Sequence, residues 1–285
     1  MSATAPRWGW TDEQLATAPT VYAPELFAGK TVLVSGAGTG IGKGIAFLLA
    51  RLGADLVLCG RRAELLEQTR QGLQRFGGQV LTLPLNIREP ERVAEAMDRV
   101  WETFGKLDVL VNNAGGQFPR PAIDLTVNGW NAVMDTNLNG TWTMMQSAAR
   151  HWRDHGQSGN IVNIVLVVER GTPGAAHTGA ARAGVIALSK TVAVEWAPLG
   201  IRVNCIAPGT IETDAFRYYP PEASANFHLS NPMKHTGDVQ DIAEAVAYLA
   251  APSGKFITGE VLAVDGGLRM WGECWVTAKP DYFKV

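Results

Sequence analysis

The sequence of 285 residues predicts a doubly wound α/β fold, a parallel sheet of about seven strands with helices on both faces. Three observations lead there. Short apolar runs rich in β-branched residues alternate with stretches of helical period along the chain, which requires crossover connections and a sheet covered on both sides. Residues 31–42, Thr-Val-Leu-Val-Ser-Gly-Ala-Gly-Thr-Gly-Ile-Gly, set a glycine turn between a strand and a helix, which aims a helix N-terminus at a phosphate. No Pro/Ser-rich linker or charge block divides the chain. It reads as one domain over 1–285, with an N-terminal arm (1–29), a lid over the substrate (214–235) and a C-terminal tail (268–285).

Composition narrows the partners. The formal net charge is -2 with the two signs interspersed, which argues against a nucleic-acid or anionic-membrane surface. Cys59, Cys205 and Cys274 are odd in number and far apart, so neither a disulfide framework nor a metal site is indicated. The N-terminus is polar and no long apolar span occurs, which predicts a soluble, cytoplasmic protein.

Taken in order, the arm carries Trp8, Trp10 and Tyr22-Ala23-Pro24 without an assignable period. The run 31–34 is a strand buried on both faces, and Ile41, Ile45, Leu48, Leu49 and Leu52 follow at helical spacing. Between them, Gly36 permits the tight turn, Gly40 lets the backbone approach a pyrophosphate and Gly42 lets the helix pack closely. Thr39 and Ile41 complete this candidate phosphate site. A second strand at 55–59 runs into Gly60-Arg61-Arg62. The second strand of such folds ends at the adenosine ribose, where an acid favours a free 2′-hydroxyl and arginine pairs with a 2′-phosphate. Arg61 and Arg62 therefore point to NADP(H).

Leu66, Thr69, Leu73 and Phe76 mark the next helix, stopped by Gly77-Gly78. The third strand, 79–83, ends in Leu85-Asn86-Ile87, with Asn86 and Ile87 placed toward an adenine. Pro90 sits near a helix start, and Val93, Met97, Val100, Trp101 and Phe104 form its core stripe. The fourth strand, 107–111, leads into Asn112-Asn113-Ala114-Gly115, and a helix around 133–152 carries Asp135-Thr136-Asn137-Leu138. A fifth strand at 160–164 precedes a helix at 175–196 that is apolar almost all round. Such a helix must be covered on every side, and a second copy of the chain is the simple cover, giving a homotetramer or homodimer. The sixth strand, 201–206, leads to Pro208-Gly209-Thr210-Ile211-Glu212-Thr213. The segment 215–233 has no clean period, a helix at 242–249 follows, and 262–264 with Asp265-Gly266-Gly267 is the last strand and turn.

The Gly-x-x-x-Gly-x-Gly spacing, followed about seventy residues later by Asn-Asn-Ala-Gly at the end of a strand, resembles the short-chain dehydrogenase/reductase family. The resemblance implies a Rossmann-type sheet and places Asn113, Ala114 and Gly115 beside the adenine ribose. It implies that Asn137 is the active-site asparagine holding a water in a proton relay. It also sets Pro208, Gly209, Ile211 and Thr213 against the nicotinamide amide. In most of the family a Ser, a Tyr and a Lys follow the fifth strand, the Lys lowering the Tyr pKa so that the phenol can protonate a carbonyl. Alignment on Val185 puts Arg182 at the Lys position and Thr178 at the Tyr position, and the Ser falls at Val165 or Leu166.

A threonine hydroxyl is too weak an acid to protonate a ketone, yet it can donate a hydrogen bond, and Arg182 can hold ribose hydroxyls. Such a site suits hydride addition to the β-carbon of an enoyl thioester, where charge develops on the thioester oxygen as an enolate and water protonates the α-carbon. Four stretches resemble the peroxisomal trans-2-enoyl-CoA reductases and, more distantly, the 2,4-dienoyl-CoA reductases. They are Tyr22-Ala23-Pro24, Asn112-Asn113-Ala114-Gly115-Gly116-Gln117-Phe118, Gly179-Ala180-Ala181-Arg182-Ala183-Gly184-Val185 and Phe256-Ile257-Thr258-Gly259. The chain departs from that branch at Tyr282-Phe283-Lys284-Val285, which is not a Ser-Lys-Leu-like peroxisomal address. The resemblance implies an acyl thioester substrate, coenzyme A its carrier, with Gln117, Val165, Leu166, Tyr218 and Tyr219 near it. Two alternatives stay open: an alcohol or carbonyl oxidoreductase of a lipid-like substrate that uses Tyr218 or Tyr219, and a non-catalytic NADP-binding protein.

Overall fold

Every residue of the central strand is buried, as its β-branched composition requires of a strand covered on both faces. This strand, β1 (Thr31–Ser35), is joined by β2 (Asp55–Gly60), β3 (Val80–Pro84), β4 (Val109–Asn112), β5 (Gly159–Ile164), β6 (Ile201–Pro208) and β7 (Val261–Val264). All pair in parallel, in the spatial order β3-β2-β1-β4-β5-β6-β7. The computed structural model describes residues 8–270; Trp271, Trp275 and the rest of the tail, like residues 1–7, lie outside the described residues.

The helices are α1 (Asp12–Thr17), α2 (Gly40–Arg51), α3 (Ala63–Leu73), α4 (Pro90–Phe104), α5 (Val127–Met134), α6 (Thr141–Asp154), α7 (Ala176–Glu195), α8 (Pro221–Ala225) and α9 (Val239–Ala250). Successive strand residues point to opposite faces, so Val32 and Val34 pack with α2, α3 and α9, whereas Leu33 packs with α4, α6 and the end of α7. The chain leaves β1 in one direction toward β2 and β3 and returns to its other side at β4. That reversal opens a crevice beyond the carboxyl ends of β1 and β4.

Two departures from the expected elements have local causes. The helix expected around 133–152 begins earlier, at α5, whose start is capped by the Thr126 hydroxyl accepting from Gly129 N at 3.0 Å. Between α5 and α6 the chain widens into a π-helical turn, Asp135–Gly140, that contains Asn137. The arm is not irregular: α1 is fixed by a capping box in which Thr11 and Gln14 exchange side-chain and backbone hydrogen bonds. In the single chain, α7 is covered on one side only, by Val185, Ser189 and Val192, while Ala180, Ala183, Ala187 and Val194 are exposed. No helix of the described residues is long and apolar enough to cross a membrane.

The lid is a chain of short turns around α8, and the arm holds it. The Trp8 and Phe216 rings lie 5.5 Å apart, and Gly9 N donates to the Glu212 carboxylate at 3.4 Å. Phe227 then packs against both Phe216 and Tyr219. Behind the lid, α9 starts at Asp238, whose carboxylate accepts from Gln240 N and Asp241 N. Burial and the neighbouring Asp241 carboxylate raise the Asp238 pKa, so its charge opposes part of the capping gain. Asp238→Ala is expected to cost about 1 kcal/mol of stability and Asp238→Asn close to none. Denaturant melts of the two variants check this, and an equal loss in both would exclude the cap as its origin.

Candidate functional site

The crevice is a cleft of about 310 Å³ lined by the glycine turn, the end of β2, the start of the β4 loop and the root of the lid. Gly36 and Gly40 take positive φ (69° and 53°), which folds the turn under the N-terminus of α2. A Cβ at Gly42 would collide with Gly36 O and with the Asn113 amide, so only glycine lets α2 start this close to the turn. Asn113 fixes that turn from the other side: its Nδ2 donates to Ser35 O at 2.9 Å, while Asn113 N and Ala114 N both donate to Ser35 Oγ.

A buried polar chain supports this floor. Asn112 Nδ2 donates to Asn163 Oδ1, Asn163 Nδ2 donates to Ser189 Oγ, and the Cys205 thiol also reaches Ser189 Oγ. Side-chain bonds thus tie β4, β5, α7 and β6 together directly behind the cleft. Burial pushes the Cys205 thiol up to about 11, so it serves this chain as a neutral group.

Asn137 projects from the π turn onto the β4 loop. Its Oδ1 accepts from Gly116 N and its Nδ2 donates to Gly116 O, both at 2.9 Å. Both ends of the amide are used by backbone, and the Asn137 carbonyl accepts from the Thr141 hydroxyl. Opposite it stands the start of α7. Arg182 is only 7% exposed, and its Nη1 is buried without a hydrogen-bond partner among the described residues. Burial lowers the guanidinium pKa to about 10, with a small opposing effect of Cys205. A Cβ on Gly115 would collide with the Arg182 guanidinium and approach Asn137 Oδ1, so Gly115 is the one place where the loop can pass between them. One turn earlier, the Thr178 hydroxyl lies 3.2 Å from Nδ1 of His177, which also accepts from Thr178 N at 2.7 Å.

Of the residues singled out in the sequence, Gly36, Thr39, Gly40, Ile41, Arg61, Arg62, Asn86, Ile87, Asn113, Ala114, Gly115 and Thr213 line the cleft. Pro208, Gly209 and Ile211 stand outside that lining; Ile211 borders a smaller hollow under the lid with Asn231 and Gly237. Asn86 donates to the Glu89 carboxylate at 2.6 Å. Gln117 donates to the Tyr219 hydroxyl at 3.3 Å, which brings the β4 loop and the lid together. Tyr218 does not join them: it is 72% exposed, with the Arg217 guanidinium 5.0 Å from its ring centre. Val165 is packed with Val167, Val185 and Cys205 below the surface, and Leu166 is half-buried beside it.

Sequence reasoning did not single out Arg88, Thr136 or Asp214 as lining residues, nor His177. Arg88 Nε donates to Thr136 Oγ1 at 2.6 Å across the end of the cleft that follows β3, a pairing with no sequence spacing to announce it. Arg61 and Arg62 make no ion pair among the described residues and face the same end. Unpaired cations at one end and a glycine turn under a helix N-terminus in the middle fit a nicotinamide dinucleotide; Asn137, Thr178 and Arg182 stand outside this lining, with Arg182 against its wall at Gly115. No group of three or more His, Cys, Asp or Glu residues able to hold a metal occurs among the described residues.

Comparison with known proteins agrees with this geometry. A family profile described as "Enoyl-(Acyl carrier protein) reductase" matches residues 36–269. A probable 2,4-dienoyl-CoA reductase of Bacillus subtilis is 40% identical over 243 residues, 84% of this chain and 96% of that one. The peroxisomal 2,4-dienoyl-CoA reductase of Danio rerio is 36% identical, over 95% of this chain and 90% of that one. Among solved structures, a citronellol catabolism dehydrogenase of Pseudomonas aeruginosa superposes with a TM-score of 0.78 at 35% identity, covering 88% of this chain and 99% of that one.

Proposed function

The chain belongs to the short-chain dehydrogenase/reductase family of oxidoreductases, which bind a nicotinamide dinucleotide, and on that premise we propose that it uses NADPH to reduce a carbon–carbon double bond of an unsaturated acyl-CoA. The observation that carries the reading is the start of α7. There Thr178 meets an imidazole, and a buried unpaired guanidinium lies behind it, at the two places where the family's phenol and ammonium are expected. Two relatives named for 2,4-dienoyl-CoA reduction support the substrate class.

When bound, the dinucleotide would supply a hydride whose electron pair becomes the new carbon–hydrogen bond, while the displaced π electrons leave negative charge on the thioester oxygen as an enolate. Arg182 holds the ribose hydroxyls beside Gly115 through charge-assisted bonds. Arg61 and Arg62 hold the 2′-phosphate. Asn137, with its amide committed to Gly116, fixes the loop that forms the floor under the reacting carbons. At the oxyanion end the start of α7 presents Thr178 and the neighbouring imidazole. None of these need give up a proton, so the α-carbon takes its proton from water.

Assays of NADPH oxidation with crotonyl-CoA, 2,4-hexadienoyl-CoA and acetoacetyl-CoA test the reading. Turnover of an unsaturated thioester with little of the ketone is expected. Preference for acetoacetyl-CoA would instead favour carbonyl reduction, with Tyr219 the nearest phenol to the β4 loop. Turnover of none would favour a non-catalytic dinucleotide-binding protein. The proposal includes a cytoplasmic setting, supported by the buried free thiols of Cys59 and Cys205. It also includes assembly as a homotetramer or homodimer through the exposed alanine face of α7. Light scattering at micromolar concentration is expected to give a multiple of the chain mass, and a monomer would refute the assembly.

A further inference from the structure

His177 is 1% exposed, the one histidine among the described residues that is buried. Its Nδ1 accepts the Thr178 backbone N–H at 2.7 Å. An accepting Nδ1 carries no proton, so the neutral ring bears its hydrogen on Nε2. That Nε2 is buried with no hydrogen-bond partner among the described residues. The ring stands edge-to-face against Phe118, centroids 4.6 Å apart. Phe118 ends the same loop whose Gly115 touches Arg182, whose Gly116 is clamped by Asn137 and whose Gln117 reaches the lid at Tyr219. Phe118 is itself 39% exposed, so this loop edge opens outward. A buried donor without an acceptor is costly and rare in a folded chain, and this one lies beneath the loop whose Gly115 lines the cleft, which points to a ligand atom brought in beside Phe118.

The Thr178 hydroxyl is differently placed. It lies 3.2 Å from a nitrogen that can only accept, so when it bonds the imidazole its hydrogen points at Nδ1 and away from substrate.

We propose that the Nε2–H of His177, rather than the Thr178 hydroxyl, donates the hydrogen bond to the thioester oxygen of the acyl-CoA. Thr178 is then a positioning residue: with its N–H and its hydroxyl it keeps Nδ1 an acceptor and the proton on Nε2. The imidazole keeps that proton throughout. This rests on the acyl-thioester reading above and specifies the residue that faces its oxyanion.

The test uses the whole protein with two readouts. The first is kcat with 2,4-hexadienoyl-CoA and NADPH. The second is the 13C resonance of carbonyl-labelled 2,4-hexadienoyl-CoA bound to the NADP+-loaded protein, which moves downfield when the oxygen accepts a hydrogen bond. His177→Leu is expected to lose about a hundredfold to a thousandfold in kcat, as oxyanion donors do, and to abolish the downfield shift with NADPH affinity unchanged. His177→Gln, which restores an amide N–H near the same place, is expected to stay within about tenfold of wild type and to keep the shift. Thr178→Val, whose backbone N–H still holds Nδ1, is expected to lose less than about tenfold. Wild-type kcat and shift in His177→Leu would overturn the proposal. So would the reverse pattern, in which Thr178→Val abolishes the shift and His177→Leu keeps it. If Phe118→Leu destabilises the protein as much as His177→Leu while neither alters the shift, the imidazole serves packing alone and the proposal fails. Failure of the acyl-thioester reading has a separate sign: wild type that neither turns over nor shifts any labelled thioester, which overturns both.

Discussion

Arg182→Met is expected to stabilise the cofactor-free protein while weakening its hold on NADPH, two effects of opposite sign from one side chain. The guanidinium is buried with Nη1 unpaired, and burial brings its pKa down to about 10. A shift of that size opposes the charged form by about 3 kcal/mol, an upper limit on the gain when a methionine of similar length replaces it. The sign follows from linkage. A base whose folded pKa lies below its unfolded value carries its penalty in full below the folded pKa, and the penalty fades as pH rises above about 10 toward the unfolded value. At neutral pH the whole penalty is in force. Bound NADPH gives the guanidinium its partners, so the same substitution should weaken binding by about 1.5–3 kcal/mol. Denaturant melts of the cofactor-free protein and calorimetric titration with NADPH check the pair. A variant that is less stable and binds NADPH like wild type would show Arg182 to be a packing residue.

Replacing Arg61 and Arg62 together by Ala is expected to cost about 2–4 kcal/mol of NADPH affinity, on the order of 30- to 900-fold, and to leave NADH nearly unchanged. The two side chains line the adenine end of the cleft and have no carboxylate partner among the described residues, so the fold loses little when they go. Arg88 lines the same end, but its guanidinium is engaged by Thr136, and Arg88→Ala alone should cost much less. Titrations with both cofactors in each variant decide the matter, and equal losses for NADPH and NADH would remove the 2′-phosphate from the account.

The sheet and the phosphate turn were legible in the sequence because each depends on local rules. A β-branched run ending in glycines has few conformations open to it, and the seven strands follow from such runs. The Asn113 clamp on Ser35 was legible as a motif, though its hydrogen bonds join residues far apart in the chain. What stayed hidden depends on three-dimensional neighbours. A helical period cannot show that Asp135–Gly140 widens into a π turn, because the apolar residues on either side keep nearly the same face. Six residues, as in α1, are too few to show a period at all. His177 next to Thr178 has no spacing that marks a site; only the missing partner of Nε2 distinguishes it. Val165 looked like a site position by alignment, yet its apolar side chain is drawn into the cluster with Val185 and Cys205.

The arm is held at two depths in the chain: Arg51 donates to the Leu15 and Ala18 carbonyls and Lys43 pairs with Asp12, whereas Gly9 donates to Glu212 and Tyr22 to the Glu244 carbonyl. On the ribosome α1 can therefore dock once α2 has formed, whereas Trp8 and Gly9 wait for residues 212–216. The strands that build the dinucleotide cleft, β1 to β4, are synthesised long before the segment that Trp8 fastens. A nascent chain therefore leaves the Trp8 indole without its ring partner until Phe216 has been made. Docking of Trp8 and Gly9 is thus a late step of biogenesis, with the long sequence separation that slows folding, even though α1 beside them is already in place.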